Sequence, residues 1–230
     1  MTALQSILEA SINNLVVDVT TFTHESLLIL VKHLHQKRSD FAKVTFLYLG
    51  ASDYCSKETK TELKWLSKGC RDLRTVLGYP GWMKPGVETC LTVLVGYEHE
   101  RATRMISEME PELLFLGAGS SETHPNHRAP MEHFRKLVSE MVATRYNVQR
   151  FEFSCSKPRE TVQILNQIID ANKGFNHIIV PLNTKVSTVA AAVVALNNSA
   201  VQLCYAEPET YNTGNYATPG NEVSCWDLRF

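Results

Sequence analysis

The stretch 148–205, VQRFEFSCSKPRETVQILNQIIDANKGFNHIIVPLNTKVSTVAAAVVALNNSAVQLCY, holds three short apolar runs separated by two segments of helical period. The runs 148–153, 177–180 and 201–205 have the length and β-branched content of strands. Segments 159–172 and 186–196 repeat their apolar residues at helical spacing. Strand and helix in strict alternation is the pattern of βαβ units, whose right-handed crossovers make neighbouring strands parallel.

Working outward, the same alternation predicts strands at 15–19, 44–49, 73–77, 91–95 and 113–116. Helices are predicted at 25–35, 57–68, 98–109, where Pro111 stops the helix, and 130–145. GYPGWMKPG at 78–86 is a Gly/Pro turn, and the Pro/Gly/Asn-rich tail from Glu207, with no strand assigned to it, is expected to wrap an edge. The expected fold is α/β, with a mostly parallel sheet and helices on both faces, in a single domain over 1–230.

With 230 residues, 44% of them hydrophobic, the chain can bury a substantial core. Its 23 basic and 24 acidic residues leave no net field toward nucleic-acid backbones or anionic membranes. Six scattered cysteines without a CxxC pair predict reduced thiols of a cytoplasmic protein, most of them buried. The N-terminus lacks a basic leader followed by an apolar core, and no apolar run reaches membrane-spanning length, so neither a signal peptide nor a membrane span is expected.

The two ends of the chain form a half-repeat. Near the N-terminus a strand ends in DVTTFTHE, a helix follows, and the next strand ends in YLGASDYCS. Near the C-terminus the series is VPLNTKVST, helix, CYAEPETYNTG. The first loop of each copy offers helix-capping side chains, Thr20, Thr21 and Thr23 in one, Asn183, Thr184 and Ser187 in the other. Each second strand carries tyrosines six residues apart, Tyr48 and Tyr54, Tyr205 and Tyr211. Helix starts with hydroxyl donors and Lys185 make an anion site, because free N–H groups and the helix dipole both favour negative charge. A nucleotide or similar phosphate-bearing molecule is the expected ligand, bound outside the carboxyl ends of the strands.

The segment IIVPLNTKVSTVAAAVVAL followed by VQLCYAEPETYN resembles the signature of CARF and related SAVED domains, Rossmann-like sensors of cyclic oligonucleotides in prokaryotic antiviral defence. The match covers roughly 35 residues closely, with Asn183, Thr184 and Lys185 at the ligand-touching loop. The resemblance implies a Rossmann-like sheet and a cyclic-oligonucleotide ligand, in a free-standing sensor, a ligand-degrading ring nuclease or a subunit whose effector is a separate chain; a homodimer would place two such loops around a symmetric ligand. The sequence departs from that pattern where a glycine pair usually precedes Thr-Lys, having Leu182 and Asn183 instead.

Other polar clusters join the candidates. The loop GAGSSETHPNHR at 117–128 follows a strand and offers Ser120 and Ser121 for binding. Its Gly117 and Gly119 lack the third glycine and immediate helix of a dinucleotide fingerprint, and Glu122, His124 and His127 match no zinc spacing. No cofactor or metal is expected. Arg101, near a helix start, opposes the dipole and needs a partner, Glu98, Glu100 or a ligand phosphate. Asp18, His24 and Glu25 bracket the first loop and are candidate catalytic groups, although no nucleophile elbow, P-loop or HExxH accompanies them. The leading expectation is a nucleotide or cyclic-oligonucleotide sensor using Thr20, Thr21, Thr23, Arg101, Ser120, Ser121, Asn183, Thr184 and Lys185. The alternatives are a nucleotide-processing hydrolase of ring-nuclease or nucleosidase type and a non-catalytic subunit of a defence complex.

Overall fold

The computed structural model describes residues 13–60, 63–97, 99–120, 122, 126–144 and 146–228. The described residues begin with β1 (Asn14–Asp18), α1 (His24–Gln36) and β2 (Lys43–Tyr54), a parallel βαβ unit. Short β3 (Ser67–Lys68) and β4 (Asp72–Pro80) follow. The long alternating series is β5 (Thr89–Val95), α2 (His99–Met109), β6 (Leu113–Gly119), α3 (Arg128–Ala143) and β7 (Val148–Phe153). It continues as α4 (Pro158–Ala171), β8 (Asn176–Pro181), α5 (Lys185–Asn197) and β9 (Val201–Glu207). β10 (Thr210–Tyr211) and β11 (Ala217–Asp227) complete the described strands.

The main sheet has six strands in the order β4-β9-β8-β5-β6-β7. All of its pairings are parallel except that of β4, which runs antiparallel to β9 at the edge. The α/β class, the mostly parallel sheet and the placement of helices on both faces agree with the expectation. Helices α2 and α3 bury Met105, Ile106, Phe134 and Leu137 against Leu91, Val93, Leu114 and Ile178. On the opposite face α1, α4 and α5 enclose Leu27, Leu165, Val189, Leu94, Ile179 and Leu203. Successive residues of one strand, such as Ile178 and Ile179, therefore face different clusters, as the period of two requires. Helix α5 is apolar nearly all round because it is covered nearly all round, and its alanines let α1 and α4 pack closely.

Three expectations need correction. The first two predicted strands do not join the main sheet. They form a separate three-stranded sheet, β1-β2-β11, whose Val44 and Phe46 share the core of α1. The apolar pattern of βαβ units fixes a strand's neighbour within the unit and leaves the partition into sheets open. The tail does wrap an edge, but as an 11-residue strand antiparallel to β2, with register shifts around Pro219. Finally, no α-helix lies among the described residues of 57–68, which form turns leading into β3. That segment has no continuous apolar face, Leu63 being half-exposed, and a short helix without one is marginal in water.

None of the six cysteines is bonded to another. Among the described residues no helix is long and apolar enough to cross a membrane, and no group of three or more His, Cys, Asp or Glu side chains is placed to hold a metal.

Candidate functional site

In the main sheet the chain leaves β5 toward β6 on one side and later returns through β8 on the other. Strands β5 and β8 are neighbours, so the segments leaving their carboxyl ends part in opposite directions, and a crevice opens between them. The two segments still touch at the base of the crevice. The Asn183 amide donates to the Val95 carbonyl at 2.5 Å, and the Leu182 N–H donates to the Leu94 carbonyl at 3.0 Å. A Cβ on Gly96 would stand 2.5 Å from the Leu182 carbonyl oxygen, so only glycine fits there.

A cavity of about 560 Å³ occupies this place. Its walls come from both halves of the sequence repeat: Thr20, Thr21, Thr23 and His24 from the first loop, Asn183, Thr184 and Lys185 from the second. Both βαβ units thus turn the carboxyl ends of their strands toward one space, because α1 packs against α5. Five tyrosines line it as well, Tyr48 and Tyr54 from β2, Tyr97, Tyr211 and Tyr216. Tyr54 packs against Tyr97 with ring centroids 5.2 Å apart and meets Tyr216 edge-on at 6.5 Å. Burial raises the Tyr48, Tyr54 and Tyr97 phenols, so these groups stay protonated. No Asp or Glu stands among the described lining residues.

Two cations do stand there. Lys185 is the first residue of α5, and Arg101 rises from α2. Arg101 is only 3% exposed; its guanidinium donates to the Ala206 carbonyl at 2.6 Å and lies 6.0 Å over the Tyr205 ring. The expected alternative partner Glu98 lies outside the described residues, as do Ser121, Thr123 and His124.

The threonines divide their work between fold and site. Thr23 caps α1 by accepting the Ser26 N–H at 3.1 Å, and Thr184 caps α5 by accepting the Ser187 N–H at 3.3 Å. The Thr20 hydroxyl accepts the Leu49 N–H at 2.9 Å, joining the first loop to β2. Asn183 spends its side chain on Val95 and on the Cys155 thiol, which donates to it at 3.4 Å. These side chains shape the cavity, and its anion-seeking groups are the first-turn backbone N–H groups of α1 and α5, with the two cations.

His24 is held from behind. Its Nδ1 lies 2.6 Å from the Thr188 hydroxyl, which itself donates to the Thr184 carbonyl at 3.0 Å. Burial, followed by the nearby charges of Lys185 and Arg101, holds its pKa well below the usual histidine value, so the ring is neutral at neutral pH.

Three predicted site residues are not brought into the cavity. Asp18 turns back to accept the Thr20 N–H at 2.9 Å, and hydrogen bonding from the Thr20 hydroxyl, followed by that N–H, holds its carboxyl below the usual range. Glu25 faces β4, where both its oxygens take the Arg74 guanidinium at 2.8 Å, with Glu207 and Asp72 completing the network. Ser120 sits at the end of β6, accepting the Glu122 N–H at 3.3 Å, away from the walls. Each carboxylate is consumed by the fold, Asp18 by Thr20 two residues on and Glu25 by the distant Arg74. Glu25→Gln is therefore expected to leave ligand affinity unchanged and to lower stability by about 1 kcal/mol, the scale of a partly exposed ion pair; titration and thermal unfolding of the variant measure the two.

Sequence reasoning missed Gly96, Tyr97, Tyr216 and the β11 residues Ala217, Thr218 and Pro219. For Gly96 and Tyr97 a signal existed, since they directly follow the apolar strand 91–95, where ligand crevices form.

No protein-family model matches this chain, and no curated protein matches it in sequence.

Proposed function

We propose that this chain is a nucleotide-binding domain of Rossmann-like architecture whose ligand occupies the cavity between the two βαβ units. The observation that carries the reading is the composition of that cavity at the β5/β8 crevice. Two cations and two helix starts stand among five tyrosine rings, with no carboxylate on the described walls. Phosphate groups suit the cations and N–H groups, and a base suits the aromatic rings. Counted from β5, the strands β7-β6-β5-β8-β9 follow the 3-2-1-4-5 order of a Rossmann-like sheet, which supports the architecture.

The finer reading is a sensor of cyclic oligonucleotides in antiviral defence, working as a homodimer with its effector on another chain. Its support is the placing of the Asn183-Thr184-Lys185 loop at the crevice, the loop on which the resemblance to CARF and SAVED domains rests. Thermal unfolding against mononucleotides, dinucleotides and cyclic oligonucleotides tests it, because a ligand bound to the native state raises the midpoint by mass action. A rise with cyclic oligonucleotides is the expected result. A rise with mononucleotides alone would leave nucleotide binding and remove the sensor reading, and no rise with any would overturn both.

A second reading, a nucleotide-processing hydrolase, is favoured by one observation. The neutral His24 ring has Nε2 available as a general base, with Lys185 and Arg101 at hand for developing negative charge. It requires turnover of the bound nucleotide that disappears in His24→Ala; a ligand recovered intact after prolonged incubation with the native protein would remove it.

A further inference from the structure

We propose that His24 makes this site selective for ribose over deoxyribose, its Nε2 accepting a hydrogen bond from a ribose 2′-hydroxyl of the bound nucleotide. The proposal rests on the nucleotide reading and adds to it a specificity-determining residue.

The tautomer follows from the hydrogen-bond chain behind the ring. Thr188 has one hydroxyl hydrogen, and the Thr184 carbonyl, which can only accept, receives it at 3.0 Å. We assign that hydrogen to the Thr184 carbonyl, which also takes the Thr188 N–H and the Ser187 hydroxyl, and with it the 2.6 Å contact between the Thr188 oxygen and His24 Nδ1 to a proton on Nδ1. In the neutral ring this leaves Nε2 as a lone-pair acceptor, and it has no hydrogen-bond partner among the described residues. The neutral state is supported by burial and by the charges of Lys185 and Arg101.

The surrounding polar groups make this acceptor distinctive. Lys185 and Arg101 only donate, the threonine and tyrosine hydroxyls of the walls can both donate and accept, and His24 carries the only imidazole among the described lining residues. A phosphate diester oxygen has no hydrogen to offer Nε2. His24 lines the same cavity as Lys185 and Arg101, so a nucleotide whose phosphate they hold presents its sugar to the ring. The sugar's hydroxyl is the donor nearest the phosphate, whereas the base, with its exocyclic amine, is placed against the tyrosines.

Isothermal titration with the diribonucleotide of adenine, its 2′-deoxy counterpart and its hypoxanthine counterpart tests the assignment. The native protein is expected to bind the ribonucleotide about tenfold more tightly than the deoxy form, the scale of one buried acceptor left unsatisfied. His24→Ala is expected to bind both forms alike, at the affinity of the native protein for the deoxy form. Thr188→Val, which frees the ring to change tautomer while keeping the residue's shape, is expected to show an intermediate preference and keeps the test open should His24→Ala fail to fold. Equal binding of the ribo and deoxy forms by the native protein overturns the role of His24 while leaving the nucleotide reading in place. So does a preference that survives in His24→Ala. A loss seen only with hypoxanthine assigns Nε2 to a base amine and overturns the ribose contact. Binding of none of the three overturns the inference, and the thermal-unfolding series with mononucleotides and cyclic oligonucleotides then decides the nucleotide reading separately.

Discussion

Lys185→Ala is expected to weaken nucleotide binding by tenfold or more without lowering the stability of the free protein. The first part follows from losing a charge-assisted contact to phosphate, ~1.5–3 kcal/mol. The second comes from where the lysine stands. As the first residue of α5, its ammonium opposes the positive end of the helix dipole, an arrangement that costs a helix ~0.3–1 kcal/mol. A residue kept there for the fold would be a poor choice, and one kept for an anion would be a good one. Titration of the variant and its melting curve without ligand separate the cases. Reduced affinity with an unchanged or higher midpoint agrees with the site; unchanged affinity with a lower midpoint would make Lys185 a structural residue and take the anion site apart.

Much of this cavity was legible because helix starts advertise themselves. The caps Thr23 and Thr184, the cation Lys185 and the half-repeat tyrosines Tyr48, Tyr54 and Tyr211 were all readable from spacing, and the fold brings them to one space, leaving Tyr205 off its walls. What could not be read is which side chains the fold itself consumes. Glu25 and Asn183 looked as available as Lys185, yet Arg74 lies 49 residues from Glu25 in sequence, and Val95 lies 88 from Asn183. β11 was hidden for a different reason: Pro219 and Gly220 fall at its bulge, where the ladder tolerates them, and they made a strand look like loop. The Gly220 Cα sits so close to β2 that a Cβ there would be 2.5 Å from the Gly50 carbonyl oxygen. Its presence in the strand reports a close backbone approach rather than a chain break.

Gly96→Ala is expected to be the most disruptive single-methyl change in the site. The added Cβ would meet the Leu182 carbonyl oxygen at 2.5 Å and the Asn183 Cα at 3.0 Å, and both are backbone of the segment leaving β8, which cannot swing aside as a side chain can. Relief requires the segments leaving β5 and β8 to part, which stretches the Asn183 bond to Val95 and shifts Thr184 and Lys185 with it. Overpacking of this kind costs ~1–3 kcal/mol, a midpoint lower by roughly 2–12 °C for a chain of this size. Gly174→Ala is the control, since a Cβ there meets nothing within 4 Å, and it is expected to change stability by no more than ~0.5 kcal/mol. The Thr-Lys loop itself has Leu182 and Asn183 before Thr184; the geometry puts the needed glycine on the segment leaving β5, where it lets that loop come in. If that is its role, the affinity lost by Gly96→Ala exceeds what partial unfolding accounts for at a temperature where the variant is still folded. An affinity that stays native under those conditions would show that the crevice can widen without moving Lys185, and that the contact serves stability alone.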